Sequence, residues 1–271
     1  QEQVEALQKE MGLDKPVLVR YANWLDNFLT GDMGESFSYS MPVEELILDK
    51  IPVTVTLTIL SFLMMLVVSI PLGIFAARHE GMLIDRILVV MNQFGMSVPG
   101  FFIGIVLTYV FGLVLQWFTP GAYVSASQDF LGFLGYLLAP AIAIALPRCA
   151  MGVKMLRGSV LAQMNADYVR TAYARGNGTS RVLYGHVLKN ALLPVLTFWG
   201  MAIADIMANS IIIEQVFTIP GLGSLLISSI SNRDYPVVQG IMVLIAAFVI
   251  LINFVVDLLY GKIDPRIRIK K

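Results

Sequence analysis

Few residues in this chain have types and spacings that could do chemistry. The two histidines, His79 and His186, lack the HExxH spacing of a zinc peptidase, and Cys149 has no second cysteine to share a metal or a disulfide. There is no GxSxG elbow for a nucleophilic serine and no GxxxxGK[ST] loop to cradle phosphates. A catalytic or metal centre is therefore not expected, and neither is an ATP site within this chain. Most of the 14 methionines fall in apolar runs, where adaptable packing explains them better than soft-metal binding. Two features are left over. Asp205 is the one acid well inside a long apolar run, with Met201 and Asn209 four residues to either side on the same helical face. Residues 167–194, DYVRTAYARGNGTSRVLYGHVLKNALLP, form a basic, glycine-punctuated segment between two apolar stretches.

The elements that must hold these groups are membrane spans. The 271 residues are 57% hydrophobic and only 14% charged, with a mean hydropathy of +0.74, against about 25% charge in soluble proteins. A spanning helix needs about 20 mainly apolar residues. Five spans are predicted: Thr54–Ala76; a long helix from Ile87 to Phe118, kinked near Pro99, of which Ser97–Thr119 crosses; 130 to about Met151, interrupted by Pro140 and Pro147; 192–213, broken only by Asp205; and 236–260. Asp205 lies thirteen residues beyond Leu192, which at 1.5 Å per residue is about 20 Å along its helix and past the middle of a core about 30 Å thick. An acid at that depth usually faces the protein interior or a watery path. The path reading has Asp205 meeting a cationic substrate group. The alternatives are a structural hydrogen bond, an ion pair with a partner chain, or a protonated acid.

Charge gives the sidedness. Residues 148–190 carry seven bases, Arg148, Lys154 and Arg157 among them, against the single acid Asp167. The tail GKIDPRIRIKK is also basic, and the linker 78–86 falls on the same side. These are read as cytoplasmic. The first 50 residues, with ten acids against four bases, are read as outside, together with the loops 120–130 and 214–235. The outer N-terminal segment has helical spacing over Val4–Leu13 and again from Val17 to Phe28 after Pro16, followed by a turn at GDMGESF. A start outside requires a preceding span or an export signal.

The basic segment reads as a helical hairpin. Asp167–Arg175 forms about two turns of helix, with Asn165 or Asp167 favouring its start. Gly176 and Gly178 permit the reversal, and Thr179 or Ser180 caps a second helix that enters the membrane at Leu192. Tyr168 and Ala172 share a face and present an apolar patch, which in water needs a partner groove or an anionic lipid surface. Further along, Pro220, Gly221 and Gly223 break regular structure after Glu214, and Leu225–Ile230 forms a short helix. Arg233–Asp234 either docks another protein or pairs locally.

Taken in order, MGLDKP (11–16), GDMGESF (31–37), SVPGFF (97–102), DYVRTAYARG (167–176), HVLKNALLPVLT (186–197), IEQVFTIPGLG (213–223), NRDYPVVQG (232–240) and VDLLYGKIDPRIR (256–268) resemble the first permease subunit of dipeptide, oligopeptide and nickel ABC importers. The resemblance runs from about residue 5 to the C-terminus. It implies an all-α polytopic membrane protein with the type I ABC importer permease fold, five spans here of a likely six, the first being the one missing. It divides the chain into an extracytoplasmic helical segment, 1–50, and a transmembrane domain, 51–271, with a coupling hairpin at 165–190. It assigns ATPase coupling to Asp167, Tyr168, Arg170, Thr171, Ala172, Arg175 and Gly176, and an external re-entrant gate to Glu214, Pro220, Gly221 and Gly223. The general permease loop begins Glu-Ala-Ala, whereas this chain has Arg170, Thr171 and Ala172, the form of the peptide and nickel branch. Gly178 stands where that branch has a polar residue, which implies a looser turn.

The implied partners are a homologous second permease, two cytoplasmic ATPase subunits that bind the ATP and Mg, and an extracytoplasmic solute-binding protein. No cofactor is expected in this chain, and no nucleic acid. The expected place is a bacterial or archaeal cytoplasmic membrane, crossed several times. The expected function is ATP-driven import of short peptides by alternating access, with Asp205 and Asn209 as path candidates. A nickel or metal-chelate importer is the alternative, favoured by the short loop at 119–130. An intramembrane hydrolase is the reading from another class, and a lone channel, which needs no coupling hairpin, is the other rival.

Overall fold

The computed structural model describes residues 15–263. The predicted helix over Val4–Leu13 and the basic tail beyond Ile263 lie outside the described residues. Helix α1 is Val17–Thr30, α2 is Val43–Arg78 and α3 is Leu83–Ser97. Helix α4, Gly100–Leu107, continues as a π-helical stretch, Thr108–Val114. Then come α5 (Phe130–Met164), α6 (Asp167–Ala174) and α7 (Thr179–Val182). A second π-helical stretch, Leu183–Val187, leads into α8 (Leu188–Val216), followed by α9 (Leu222–Ser231) and α10 (Tyr235–Ile263). The only extended pairing among the described residues is one bridge, Glu35 to Pro42.

Among the described residues, four helices are long and apolar enough to cross a membrane: α2, α5, the run Thr179–Val216, and Tyr235–Val256 of α10. A fifth span is counted if α3 and α4 with its π-helical extension form one broken crossing. That crossing departs from expectation. The predicted kinked helix Ile87–Phe118 is two helices meeting at 94°. Pro99 has no N–H and its ring bars Val98 from the helical region, so Val98 (ψ 122°) and Pro99 (ψ 141°) are both extended and swing the chain. Helical structure starts earlier, at Leu83, and stops at Val114, short of Thr119.

Helix α5 also differs from its predicted form. Pro140 and Pro147 sit inside it without ending it, and it runs to Met164 rather than Met151. Hydropathy marks where the apolar run stops, but the helix continues amphipathically, with Val153, Leu156 and Val160 buried on one face. Lys154 and Arg157, beyond the predicted end of the span, are therefore helical residues of α5 together with Arg148. Likewise α2 begins at Val43, so the division drawn at residue 50 falls within a continuous helix.

The core lies where α5 packs between α2 and α8. Small buried residues, Ala141, Ala143, Ala145, Ala150 and Gly152 on α5, let the helices approach closely. The buried hydroxyls of Thr58 and Ser61 on α2 donate to carbonyls of their own helix, Thr54 at 2.8 Å and Leu57 at 2.7 Å, and so enter the core without an orphan donor. A smaller apolar cluster, Val43, Ile47, Leu222, Leu225, Leu226, Val237 and Ile241, joins α2, α9 and α10 at one end.

Polar ties define both ends of the bundle. At the end with that smaller cluster, Tyr136 of α5 donates to the Phe217 carbonyl (2.6 Å) and accepts from the Gly121 N–H (3.0 Å). There too, Asp234 accepts from the Ser36 hydroxyl and from the N–H groups of Phe37 and Ser38. At the other end, Arg157 of α5 holds Asp85 through two bonds of 2.7 and 2.8 Å, and Asp85 accepts from the Gly81 N–H at 3.0 Å. The loops read as outside from their charge thus share one end, and the linker 78–86 shares the other with the C-terminal half of α5.

Candidate functional site

The hairpin is a short helix pinned to the bundle. Helix α6 ends at Ala174, with Arg175 as its C-cap and Gly176 in the left-handed region at φ 79°. The Gly176 N–H donates to the Tyr173 carbonyl (2.9 Å) and the Asn177 N–H to the Ala172 carbonyl (3.4 Å), the paired closing bonds of a Schellman motif. The Asn177 side chain adds a bond to the Ala172 carbonyl at 3.0 Å. Gly178 has ordinary backbone geometry, so Gly176 alone makes the reversal. Ala166 is the N-cap of α6 and Gly178 that of α7; no side chain caps either helix. Asn165 instead donates back to the Leu161 carbonyl, closing α5.

The face of α6 that meets the bundle is Val169 and Ala172, both buried in the main core. The expected patch of Tyr168 and Ala172 is therefore divided: Ala172 anchors the helix, while Tyr168 lies at the surface with its hydroxyl donating to Gln163 (2.9 Å). Val169 takes the anchoring place beside Ala172, three residues away, because the helix lies along the bundle end and buries a narrow stripe. The outward face carries Asp167 and Arg170, 3.8 Å apart and exposed. A cleft of about 260 Å³ opens between Tyr168, Thr171, Ala172, Arg175, Asn177 and His186. Sequence reasoning missed His186 as a wall of this cleft. The π-helical stretch Leu183–Val187 turns it there, and nothing in the local sequence signals that stretch.

At the opposite end, Glu214 lies in the last turn of α8 and is fully buried, rather than standing in a loop. One carboxylate oxygen accepts from the Thr54 hydroxyl at 2.6 Å, and the other from the N–H groups of Gly223 (2.7 Å) and Ser224 (3.1 Å). The Leu222 N–H donates to Thr54 Oγ1 at 2.9 Å. The first three N–H groups of α9 are thus satisfied by side chains from α2 and α8, because its own N-cap is Gly221. A Cβ on Gly221 would stand 2.4 Å from the Glu214 carboxyl, and one on Gly223 would stand 2.3 Å from the Ile211 backbone. Glycine is required at both by close approach. Helix α8 closes with a second Schellman motif in which Thr218 holds the left-handed position at φ 55°. A third ends α9, with Arg233 at φ 57°. Asp234, which follows, is tied not to its chain neighbours but to residues 36–38, far away in the sequence. Burial opposes its ionisation, but the Ser36 hydroxyl and the Ser38 and Phe37 N–H groups outweigh this and hold it below the usual carboxylate value.

Between the two ends, Asp205 stands on the exposed face of α8 with Met201, Asn209 and Ile212. Arg148 of α5 reaches it, Nη1 to Oδ2 at 3.2 Å, with side chains 30% and 55% exposed respectively. The acid thus has a cation within its own chain, one that the sequence reading counted only among the cytoplasmic bases. Asn209 donates to the Asp205 carbonyl at 2.8 Å. Arg148 and Asn209 line a cleft of about 520 Å³ whose far wall is the Val98–Pro99 break.

The comparisons agree with this architecture. Residues 69–269 match the binding-protein-dependent transport system inner membrane component. The chain is a member of that family and a multi-pass membrane permease. It is 35% identical, over 99% of its length and 86% of the relative's, to a probable peptide ABC transporter permease of Sinorhizobium fredii. It is 37% identical to the oligopeptide transport system permease AppB of Bacillus subtilis, covering 96% of this chain and 83% of that one. Its fold is that of a chain of the inward-facing MetNI methionine ABC transporter, with a TM-score of 0.65 and 17% identity over 81% of this chain and 96% of that chain. This is the type I ABC importer permease fold.

Proposed function

We propose that this chain is the first permease subunit of an ATP-driven importer of short peptides in a bacterial cytoplasmic membrane. It pairs with a homologous second permease, receives substrate from an extracytoplasmic binding protein, and is driven by two ATPase subunits that bind the ATP and Mg. The observation that carries the reading is α6: a helix of eight residues held from beneath by Val169 and Ala172, with Tyr168, Thr171 and Arg175 turned outward around an open cleft. A rigidly seated helix with an exposed basic and aromatic face suits the transmission of a partner's motion to α5 and α8. The names of the relatives favour peptide as cargo.

Rocking of the two permeases against each other requires contacts that differ between the inward and outward states. Asp205 and Asn209, on the exposed face of α8, are proposed to line the path. The knot of Glu214, Pro220, Gly221 and Gly223 is proposed to be the external gate, with α9 as its moving part. The hairpin is cytoplasmic and residues 31–42 are outside. Single cysteines at Ser180 and Ser38, in a Cys149→Ser background, test this with an impermeant thiol reagent on intact cells. Labelling at 38 with protection at 180 is expected; the reverse overturns the topology. Copurification of ATPase subunits, and ATP-dependent uptake of peptide into proteoliposomes holding all five proteins, test the function. Uptake of nickel in place of peptide would favour the metal-chelate alternative.

A further inference from the structure

The cleft beside the Val98–Pro99 break carries positive charge from two independent sources. Arg148 projects into it from the middle of α5, thirty-five residues long and apolar over most of its length. Helix α4 starts in it: Pro99 is its N-cap, no side chain caps it, and Gly100 and Phe101 of its first turn line the cleft. The open N–H groups and the helix dipole make such an end attractive to anions. The cleft's remaining walls are mostly apolar, including Met96, Ile144, Met151 and Ile213. Its volume of about 520 Å³ lies within the range of about 300–1,000 Å³ typical of small-ligand sites.

The arginine at the end of the bundle, Arg157, shows what a structural ion pair looks like here. Arg157 grips Asp85 through two parallel bonds of 2.7 and 2.8 Å, and the Asp85 side chain is only 4% exposed. Arg148 touches Asp205 through one atom at 3.2 Å, and among the described residues neither side chain makes a hydrogen bond. A guanidinium has five donors in a fixed fork suited to a carboxylate. Arg148 is left with most of that fork unused in an open cleft, its charge balanced but its hydrogen bonds unspent.

We infer that Arg148, with the N-terminus of α4, binds the C-terminal carboxylate of a peptide in transit, and that Asp205 is its resting counter-ion. The inference rests on the peptide-import reading and goes beyond it by naming the group recognised. In the empty state Asp205 holds the arginine charge inside the bundle. A peptide carboxylate then competes for the fork by offering two oxygens in place of one.

The test uses the complete importer in proteoliposomes with its binding protein. A short peptide is compared with its C-terminal amide, each at a concentration that saturates the binding protein, so that discrimination there does not enter. The unmodified importer should move the free acid about tenfold faster, the worth of a charge-assisted hydrogen bond. Arg148→Gln/Asp205→Asn, which removes both charges together, should bring the two rates to within about twofold. Asp205→Asn alone frees the fork and should widen the preference. Equal uptake of acid and amide by the unmodified importer overturns the inference. So does a preference that survives the double change, or one that Asp205→Asn leaves unaltered if the double variant does not assemble. Failure of the unmodified importer to move either peptide overturns the peptide reading itself, and the inference with it.

Discussion

Thr54 and Glu214, 160 residues apart in the chain, share a hydrogen bond of 2.6 Å and together cap a helix that belongs to neither of their own. Their oxygens take the N–H groups of Leu222, Gly223 and Ser224. Glu214→Ala leaves the buried Gly223 N–H unpaired, at about 1–3 kcal/mol, and the part-buried Ser224 N–H at less. The expected outcome is a lower melting temperature of the purified complex and faster proteolysis between residues 217 and 224. Glu214→Gln keeps an acceptor and should fall between the two. If proteolysis at the turn is unchanged in Glu214→Ala, the capping role is wrong.

Thr218 occupies a left-handed position where a β-branched side chain is strained. Thr218→Gly relieves about 1 kcal/mol of that strain, offset in part by the greater freedom of glycine in the unfolded chain. A small rise in thermal stability is expected. Gly221→Ala should act in the opposite sense and more strongly, since its Cβ would overlap the Glu214 carboxyl. Equal stability of Gly221→Ala and the unmodified protein would show that the turn relaxes freely.

Breaking one side of the Asp85–Arg157 pair strands a charge that is mostly hidden from water. Arg157→Gln or Asp85→Asn is expected to destabilise the complex by about 3 kcal/mol. Arg157→Lys keeps the charge but loses the fork, and should recover only part of the loss. The measurement is a double-mutant cycle on thermal unfolding in detergent. Additivity of the two single changes would mean that the pair contributes no coupling.

Asp234 ties the 36–38 segment to the start of α10, and its folded value lies below the usual carboxylate value. The sign follows from linkage. The tie contributes stability that is fully present above the unfolded carboxylate value and is lost as pH falls through the lowered folded value. Hydrogen-exchange protection of the Phe37 and Ser38 amides should hold near neutral pH and fall only on strong acidification. Asp234→Asn should weaken protection at neutral pH and abolish its acid dependence. Protection that drops between pH 7 and 5 would contradict the lowered value.

Gly176 has a positive φ with open space where a side chain would stand, so a substitution there acts by backbone strain rather than collision. Gly176→Asp is expected to insert normally, because the turn lies outside the spans, and to reduce ATPase retention or uncouple hydrolysis from uptake. Gly176→Asn, which tolerates the left-handed region, should be milder. Normal transport by complexes carrying Gly176→Asp would remove the coupling assignment.

The amino-acid sequence by itself determined the class, most of the spans, a reversal within 176–178 and the break around 220–223. Each of these rests on a local cause: a run of apolar residues, a backbone angle only glycine adopts easily, or a missing N–H. What depended on distant segments was not legible. Pro99 announces a break, but its 94° angle follows from where α4 packs against α5 and α8. Glu214 reads as an exposed loop acid until α2 and α9 surround it. Ala172 and Tyr168 share a face in sequence, yet the bundle buries one and leaves the other at the surface. Arg148 counts as a cytoplasmic charge in any tally of bases, and only the continuation of α5 and the approach of α8 set it beside Asp205. Charge pairs and caps between helices are made by tertiary packing, because the energy of a polar group depends on what is brought to it, and the local sequence does not say what that is.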